Sequence, residues 1–202
     1  MLRVGLTGSI GVGKSFVSSV LAELGCWVLD ADATAREVVK PNSPALQTLV
    51  AKFGPEIIRS EGTLDRPALA ALVFADPAKR ADLNSILHPY IIAEQDQQLR
   101  EWEAADPNAI AVIDAALMIE SGGYKRFDKL IVVHCDSDAQ LQRVMARDKL
   151  SSEEAKRRIA AQMSQDEKKT FADYLIDTTD GFEAARKQTK EVYSKLRATA
   201  KR

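Results

Sequence analysis

Along this chain, short runs of β-branched and aliphatic residues alternate with longer stretches in which apolar residues recur every three or four positions. Residues 2–7 read as a buried strand, 27–29 as a second, 109–114 and 130–134 as a third and fourth, and 174–176 as a fifth. Helical spacing fills the intervals. Phe16, Val17, Val20, Leu21 and Leu24 mark one face of a helix starting near Lys14, and Gly25 suits its C-terminal stop. Strands alternating with helices predict an α/β fold, with a parallel five-stranded sheet covered by helices on both faces in three layers.

Residues 42–105 break the alternation. Helical spacing over 43–53 ends at Gly54-Pro55, Asp65 can cap a helix over 66–74, and Asp76-Pro77 opens another. His88-Pro89 predicts an interruption of that helix, because the residue before proline avoids the α region, with a long helix resuming over 90–104. The expected organisation is a core of 1–41 and 106–202 interrupted by a helical insertion of 42–105. Insertions near strand ends often form a substrate wall. Residues 141–170 are again helical, with eight Lys/Arg against five Asp/Glu. Ser151 and Glu154 have capping-box spacing there, and about 143–165 is expected to act as a lid. After Phe182 the chain reads as a final helix with Val192, Tyr193 and Leu196 inward.

Composition narrows the class. Hydrophobic residues at 46% and charged residues at 28% exclude disorder for most of the chain. The 28 Lys/Arg and 29 Asp/Glu give a net charge of -1, so a whole-surface field for nucleic acid is absent. No apolar run reaches a membrane span, and the early glycines are unlike a secretory signal. Cys26 and Cys135 form no disulfide framework, sit in apolar stretches as small hydrophobes, and suit a reducing cytoplasm. Two His and two Cys argue against a zinc site.

The strongest motif is Gly8-Ser9-Ile10-Gly11-Val12-Gly13-Lys14-Ser15, between the first strand and the first helix. It matches the P-loop pattern at every specified position. Its glycines let successive backbone N–H groups converge on phosphate oxygens, and the helix N-terminus adds a positive dipole. Lys14 supplies a mobile cation for the β and γ phosphates, and the Ser15 hydroxyl a magnesium ligand. Phe16 stands where many P-loop kinases carry a second hydroxyl, leaving its backbone N–H for the α-phosphate. The D-x-x-G and N-K-x-D motifs of a switch GTPase are missing. A small-acceptor kinase instead needs a base, an acceptor-binding insertion and an arginine-bearing lid, and candidates for each occur in order.

Asp30 and Asp32, at the end of the second strand, are base candidates, and either can instead cap the following helix. Asp114, at the end of the third strand, can hold Mg²⁺ or cap a loop, and Glu120 follows six residues later. His88 at the expected break is either structural or a polar contact to substrate. Arg143 and Arg147, four apart on one helix face, can neutralise charge on a moving phosphoryl group, or form a solvated face with Asp148 and Glu154 as partners.

Nearly end to end, the sequence resembles the dephospho-CoA kinases. The likeness rests on Gly5-Leu6-Thr7-Gly8, Asp30-Ala31-Asp32 with Ala35-Arg36, Gly62-Thr63-Leu64-Asp65-Arg66 and Leu87-His88-Pro89-Tyr90-Ile91. It continues through Asp114, Leu117 and Glu120, Arg143, Arg147-Asp148, Arg158-Ile159-Ala160-Ala161-Gln162 and Ala172-Asp173. The resemblance implies transfer of the ATP γ-phosphoryl group to the ribose 3′-hydroxyl of dephospho-CoA, giving CoA and ADP. It favours Asp32 as base, makes 42–105 the CoA-binding insertion, adds Thr7, Arg66 and His88 as acceptor contacts, and leaves Arg147 the preferred lid arginine. ATP and dephospho-CoA are then the partners, Mg²⁺ the cofactor, nucleic acid and membrane are not partners, and a monomer is expected with an oligomer left open. The chain departs from the family at Ala116-Leu117-Met118-Ile119-Glu120, where Pro-Leu-Leu usually precedes the glutamate. It also departs at Asp177-Thr178-Thr179-Asp180-Gly181, where an Asn is usual and adenine contacts are expected, and at Phe16.

Overall fold

The computed structural model describes residues 1–74 and 76–200. Five strands form one parallel sheet: β1 (Leu2–Thr7), β2 (Trp27–Asp30), β3 (Ile110–Asp114), β4 (Lys129–His134) and β5 (Tyr174–Asp177), in the order β2-β3-β1-β4-β5. Parallel strands need crossovers, and the helices supply them: α1 (Lys14–Glu23), α2 (Ala31–Glu37), α3 (Pro44–Phe53), α4 (Arg66–Phe74), α5 (Pro77–Ala105), α6 (Ser137–Asp148), α7 (Ser152–Ala160), α8 (Gln165–Lys169) and α9 (Phe182–Ala200). All five strands lie where the alternating runs predict them. Because both faces are covered, the central strands are apolar on both sides, and all five residues of β3 are buried.

The chain divides into two compact units, Met1–Asp30 with Trp102–Arg202, and Ala31–Glu101. In the first, Val4 and Leu6 of β1, Val112 of β3, Ile131 of β4 and Ile176 of β5 pack with Val17 and Leu21 of α1 and Val192 and Leu196 of α9. Each fully buried side chain of this size contributes about 1.5–3 kcal/mol. In the second, Val39, Leu46, Leu49, Ile57 and Leu69 form a separate cluster. Its helices start on capping side chains, of which Asp65 is the one expected from sequence. The Ser43 hydroxyl accepts from Leu46 N at 3.2 Å, Asp65 Oδ1 from Ala68 N at 3.0 Å, and Asp76 Oδ1 from Ala78 N and Lys79 N at 2.9 and 3.2 Å.

One local expectation fails. His88-Pro89 does not interrupt the chain, since α5 runs unbroken from Pro77 to Ala105 with Pro89 inside it. Proline removes one helical hydrogen bond and crowds the carbonyl four residues back, a penalty of about 3 kcal/mol. Leu83, Ile86 and Leu87 before it and Tyr90 after it all pack against the same apolar cluster. Burial on both sides of the proline outweighs its local preference.

Candidate active site

The phosphate cradle forms where β1 ends at Thr7 and α1 begins at Lys14. A parallel sheet directs the C-terminal ends of its strands to one edge, and β1 is central in that edge. Two glycines are sterically required. Gly13 sits at φ +82°, in the left-handed region, and a side chain on Gly8 would lie 2.7 Å from the Val133 carbonyl oxygen. Ser15 is exposed at the start of α1, and Lys14 is half-buried beside it.

Lys14 Nζ is paired with Asp114 Oδ1, and Asp114 is 7% exposed. Asp114 pairs in register with Leu6 of β1 and with Asp30 of β2, so one strand edge carries two carboxylates beside the cradle. Asp32 is exposed in the first turn of α2, two residues beyond Asp30 in the chain. Arg66 opens α4 and His88 lies within α5, both exposed in the helical unit. Thr7 is fully buried, and its hydroxyl donates to the Ala116 carbonyl at 3.1 Å.

The two arginines of α6 do different things. Arg143 donates from both guanidinium NH₂ groups to Thr178, at 2.8 Å to Oγ1 and 2.7 Å to the carbonyl. The Thr178 hydroxyl in turn donates to the Val12 carbonyl at 2.8 Å, tying β5's end to the P-loop. Arg147 is more exposed and grips Asp148 with Nε and Nη2 at 2.8 and 3.0 Å, and Arg158 reaches the same carboxylate at 2.9 Å. Hydrogen bonding to Arg147 holds the Asp148 carboxyl below its ordinary range. Ser151 and Glu154 form the expected capping box at the start of α7.

Side-chain contacts that short spacing does not reveal complete the cradle. Ile10 N donates to Gln162 Oε1, and Ile10 O accepts from Gln140 Nε2, both at 2.8 Å. The Ser9 hydroxyl donates to the Met163 carbonyl at 3.3 Å. Lys168 in α8, read from sequence only as one of the basic residues of 141–170, is fully buried and bonds Ala116 O and Glu120. The one sequence signal for this region is the S-x-x-E spacing of Ser164 and Glu167, which caps α8. At the other rim, Phe16 packs its ring 4.7 Å from Phe182, with Arg186 5.5 Å from the Phe16 ring centre.

A hydroxyl at Ser15 and a carboxylate at Asp114 are hard oxygen donors of the kind Mg²⁺ prefers. Among the described residues no group of three or more His, Cys, Asp or Glu makes a closed metal cage. The donor set therefore fits a cation that shares its coordination with phosphate oxygens. Among the described residues no helix is long and apolar enough to cross a membrane.

Residues 2–183 match the family model described as dephospho-CoA kinase. A dephospho-CoA kinase of Leifsonia xyli is 42% identical over 197 residues, covering 98% of this chain and 100% of the relative. A solved structure from Thermus thermophilus superimposes with a TM-score of 0.82 at 32% identity, over 96% of this chain and 97% of that one. The dephospho-CoA kinase of Campylobacter jejuni gives a TM-score of 0.65 at 27% identity, over 96% of each chain.

Proposed function

The chain belongs to the dephospho-CoA kinase family, whose enzymes catalyse the final ATP-dependent step of coenzyme A synthesis, and from that premise we propose which of its residues carry the reaction. The γ-phosphoryl group of ATP passes to the ribose 3′-hydroxyl of dephospho-CoA. A bond forms from the 3′-oxygen to phosphorus, the bond from phosphorus to the β,γ-bridging oxygen breaks, and ADP leaves with that electron pair. Asp32 orients the hydroxyl and accepts its proton. The observation that carries this reading is the P-loop with Lys14 held against Asp114 at the sheet edge.

Lys14 neutralises the Asp114 carboxylate. When phosphates occupy the cradle, Lys14 exchanges Asp114 for their oxygens, and Asp114 is released. Magnesium, arriving with the nucleotide, supplies charge neutralisation on the β and γ phosphates, and Ser15 and Asp114 are the residues that would hold it. The backbone N–H groups of Gly11, Gly13, Lys14 and Ser15 are the proposed phosphate donors, whereas those of Val12 and Phe16 already donate to the Ser9 and Gly13 carbonyls.

Arg147 is the proposed arginine of the moving phosphoryl group. Its partners are surface carboxylate oxygens, which a phosphate can replace, whereas Arg143 secures Thr178 and through it Val12. Arg66 and His88 are proposed contacts for the acceptor, and the helical unit is the proposed CoA-binding insertion; Thr7, fully buried with its hydroxyl bonded to the Ala116 carbonyl, is not retained as an acceptor contact. The enzyme is proposed to work in the cytoplasm. The direct test is purified protein with ATP, Mg²⁺ and dephospho-CoA, with product followed by chromatography. CoA and ADP should form in equal amounts, and absence of CoA above background would end this reading.

A further inference from the structure

Lys168 is the largest fully buried side chain whose charge the proposed reaction leaves unused. Its ammonium donates to Ala116 O at 2.8 Å and lies 2.8 and 2.9 Å from the two carboxylate oxygens of Glu120. Glu120 Oε1 also accepts from Met163 N at 3.2 Å. The carbonyl of Met163 accepts from Ser9, and the carbonyl of Ala116 accepts from Thr7. These contacts trace one path: Thr7, Ala116, Lys168, Glu120, Met163, Ser9. It begins and ends on the two residues that flank Gly8, the first glycine of the phosphate cradle.

This ion pair is weak evidence for stability, because Lys168 is fully buried while Glu120 is not, and desolvating the ammonium offsets much of the attraction. This pair is better explained by what it fixes. The Lys168 ammonium donates to the Ala116 carbonyl and to Glu120 Oε2, and its ion pair extends to Glu120 Oε1. Ala116 lies two residues beyond Asp114, the partner of Lys14. The path therefore constrains both backbone segments that present charge to a nucleotide, the start of the P-loop and the loop after β3. We infer that Lys168 is a positioning residue for nucleotide binding, clamping Thr7 and Ser9 about Gly8 through Ala116, Glu120 and Met163. The inference rests on a P-loop that binds nucleotide and not on the identity of the acceptor.

The test reads nucleotide affinity directly, so it stands apart from whether CoA is the product. Calorimetric titration with ADP and Mg²⁺ is compared for the wild-type chain, Lys168→Met, and the double variant Lys168→Met/Glu120→Gln. The double variant removes both charges at similar volume and guards against the single variant failing to fold. With melting midpoints well above the assay temperature, affinity should fall about tenfold, equivalent to about 1.4 kcal/mol. In turnover assays KM for ATP should rise by a similar factor while KM for the acceptor changes little. A purely structural Lys168 would lower the melting midpoint and leave the folded protein's affinity within twofold of wild type, and that result in the double variant would overturn the inference.

Discussion

Asp32 and Asp114 are two carboxylates with opposite circumstances. Asp114 is nearly buried and neutralised by Lys14, which suits a group that waits for an incoming cation. Asp32 is exposed in the first helical turn of α2. A base that acts only as the hydroxyl attacks should affect turnover far more than nucleotide binding. Asp32→Asn should therefore lower kcat about 10²–10⁴-fold, with KM for ATP little changed. Steady-state kinetics in both substrates check this, and near-normal kcat would remove Asp32 as the base. The residue types of this machinery were legible in the sequence, since the P-loop and the Asp-Ala-Asp segment are each contiguous. The division of labour between Arg143 and Arg147 was not. Both occupy one face of α6, and only the approach of Thr178 from β5's end separates them.

At the scale of elements, α5 carries a local conflict. Pro89 is exposed within a 29-residue helix and lacks the N–H that would bond the Ser85 carbonyl. Pro89→Ala should restore that bond, and the gain is partly offset by a more flexible unfolded chain. A net stabilisation of about 1–2 kcal/mol is expected, read as a higher urea midpoint with unchanged slope. A lower midpoint would show that the surrounding cluster is shaped to the proline. The end of β4 carries a pH dependence. Burial depresses His134 below its ordinary value of 6.5, with Asp177 nearby opposing the shift. Below pH 6.5 the unfolded chain binds this proton more readily than the folded one. The stability His134 confers is thus full above 6.5 and declines as pH falls through its folded pKa. His134→Gln should flatten the melting temperature across pH 5–6.5 by comparison with wild type, a window above that of the depressed carboxylates Asp148 and Glu154.

For the whole molecule, a net charge of -1 conceals local opposition: acidic strand ends at Asp30 and Asp114, and Lys14 with the arginines of α6. Such a protein has little long-range field, and its affinity for a polyphosphate must come from the cradle. ADP with Mg²⁺ at one hundred times its dissociation constant should raise folding stability by about 2.7 kcal/mol. Lys14→Ala should lose most of that increment, and without nucleotide it should melt below wild type because the nearly buried Asp114 carboxylate loses its partner. Differential scanning calorimetry with and without nucleotide checks both, and a full shift in Lys14→Ala would show that the P-loop lysine does not hold the phosphates.

Taken alone, the sequence determined the five strands, the caps at Asp65 and Ser151, and the phosphate cradle. Each is a local matter, decided by side-chain period, backbone freedom or a hydrogen bond spanning three or four residues. Tertiary structure decided what distance in the chain conceals. Gln162 meets Ile10 across 152 residues, Thr178 meets Val12 across 166, and Lys168 meets Glu120 across 48. A buried polar atom must find a partner wherever the packed backbone offers one, and no local pattern specifies which. The continuity of α5 through Pro89 has the same origin. Apolar contacts on both sides of the proline together exceed the penalty that its neighbours in sequence would predict.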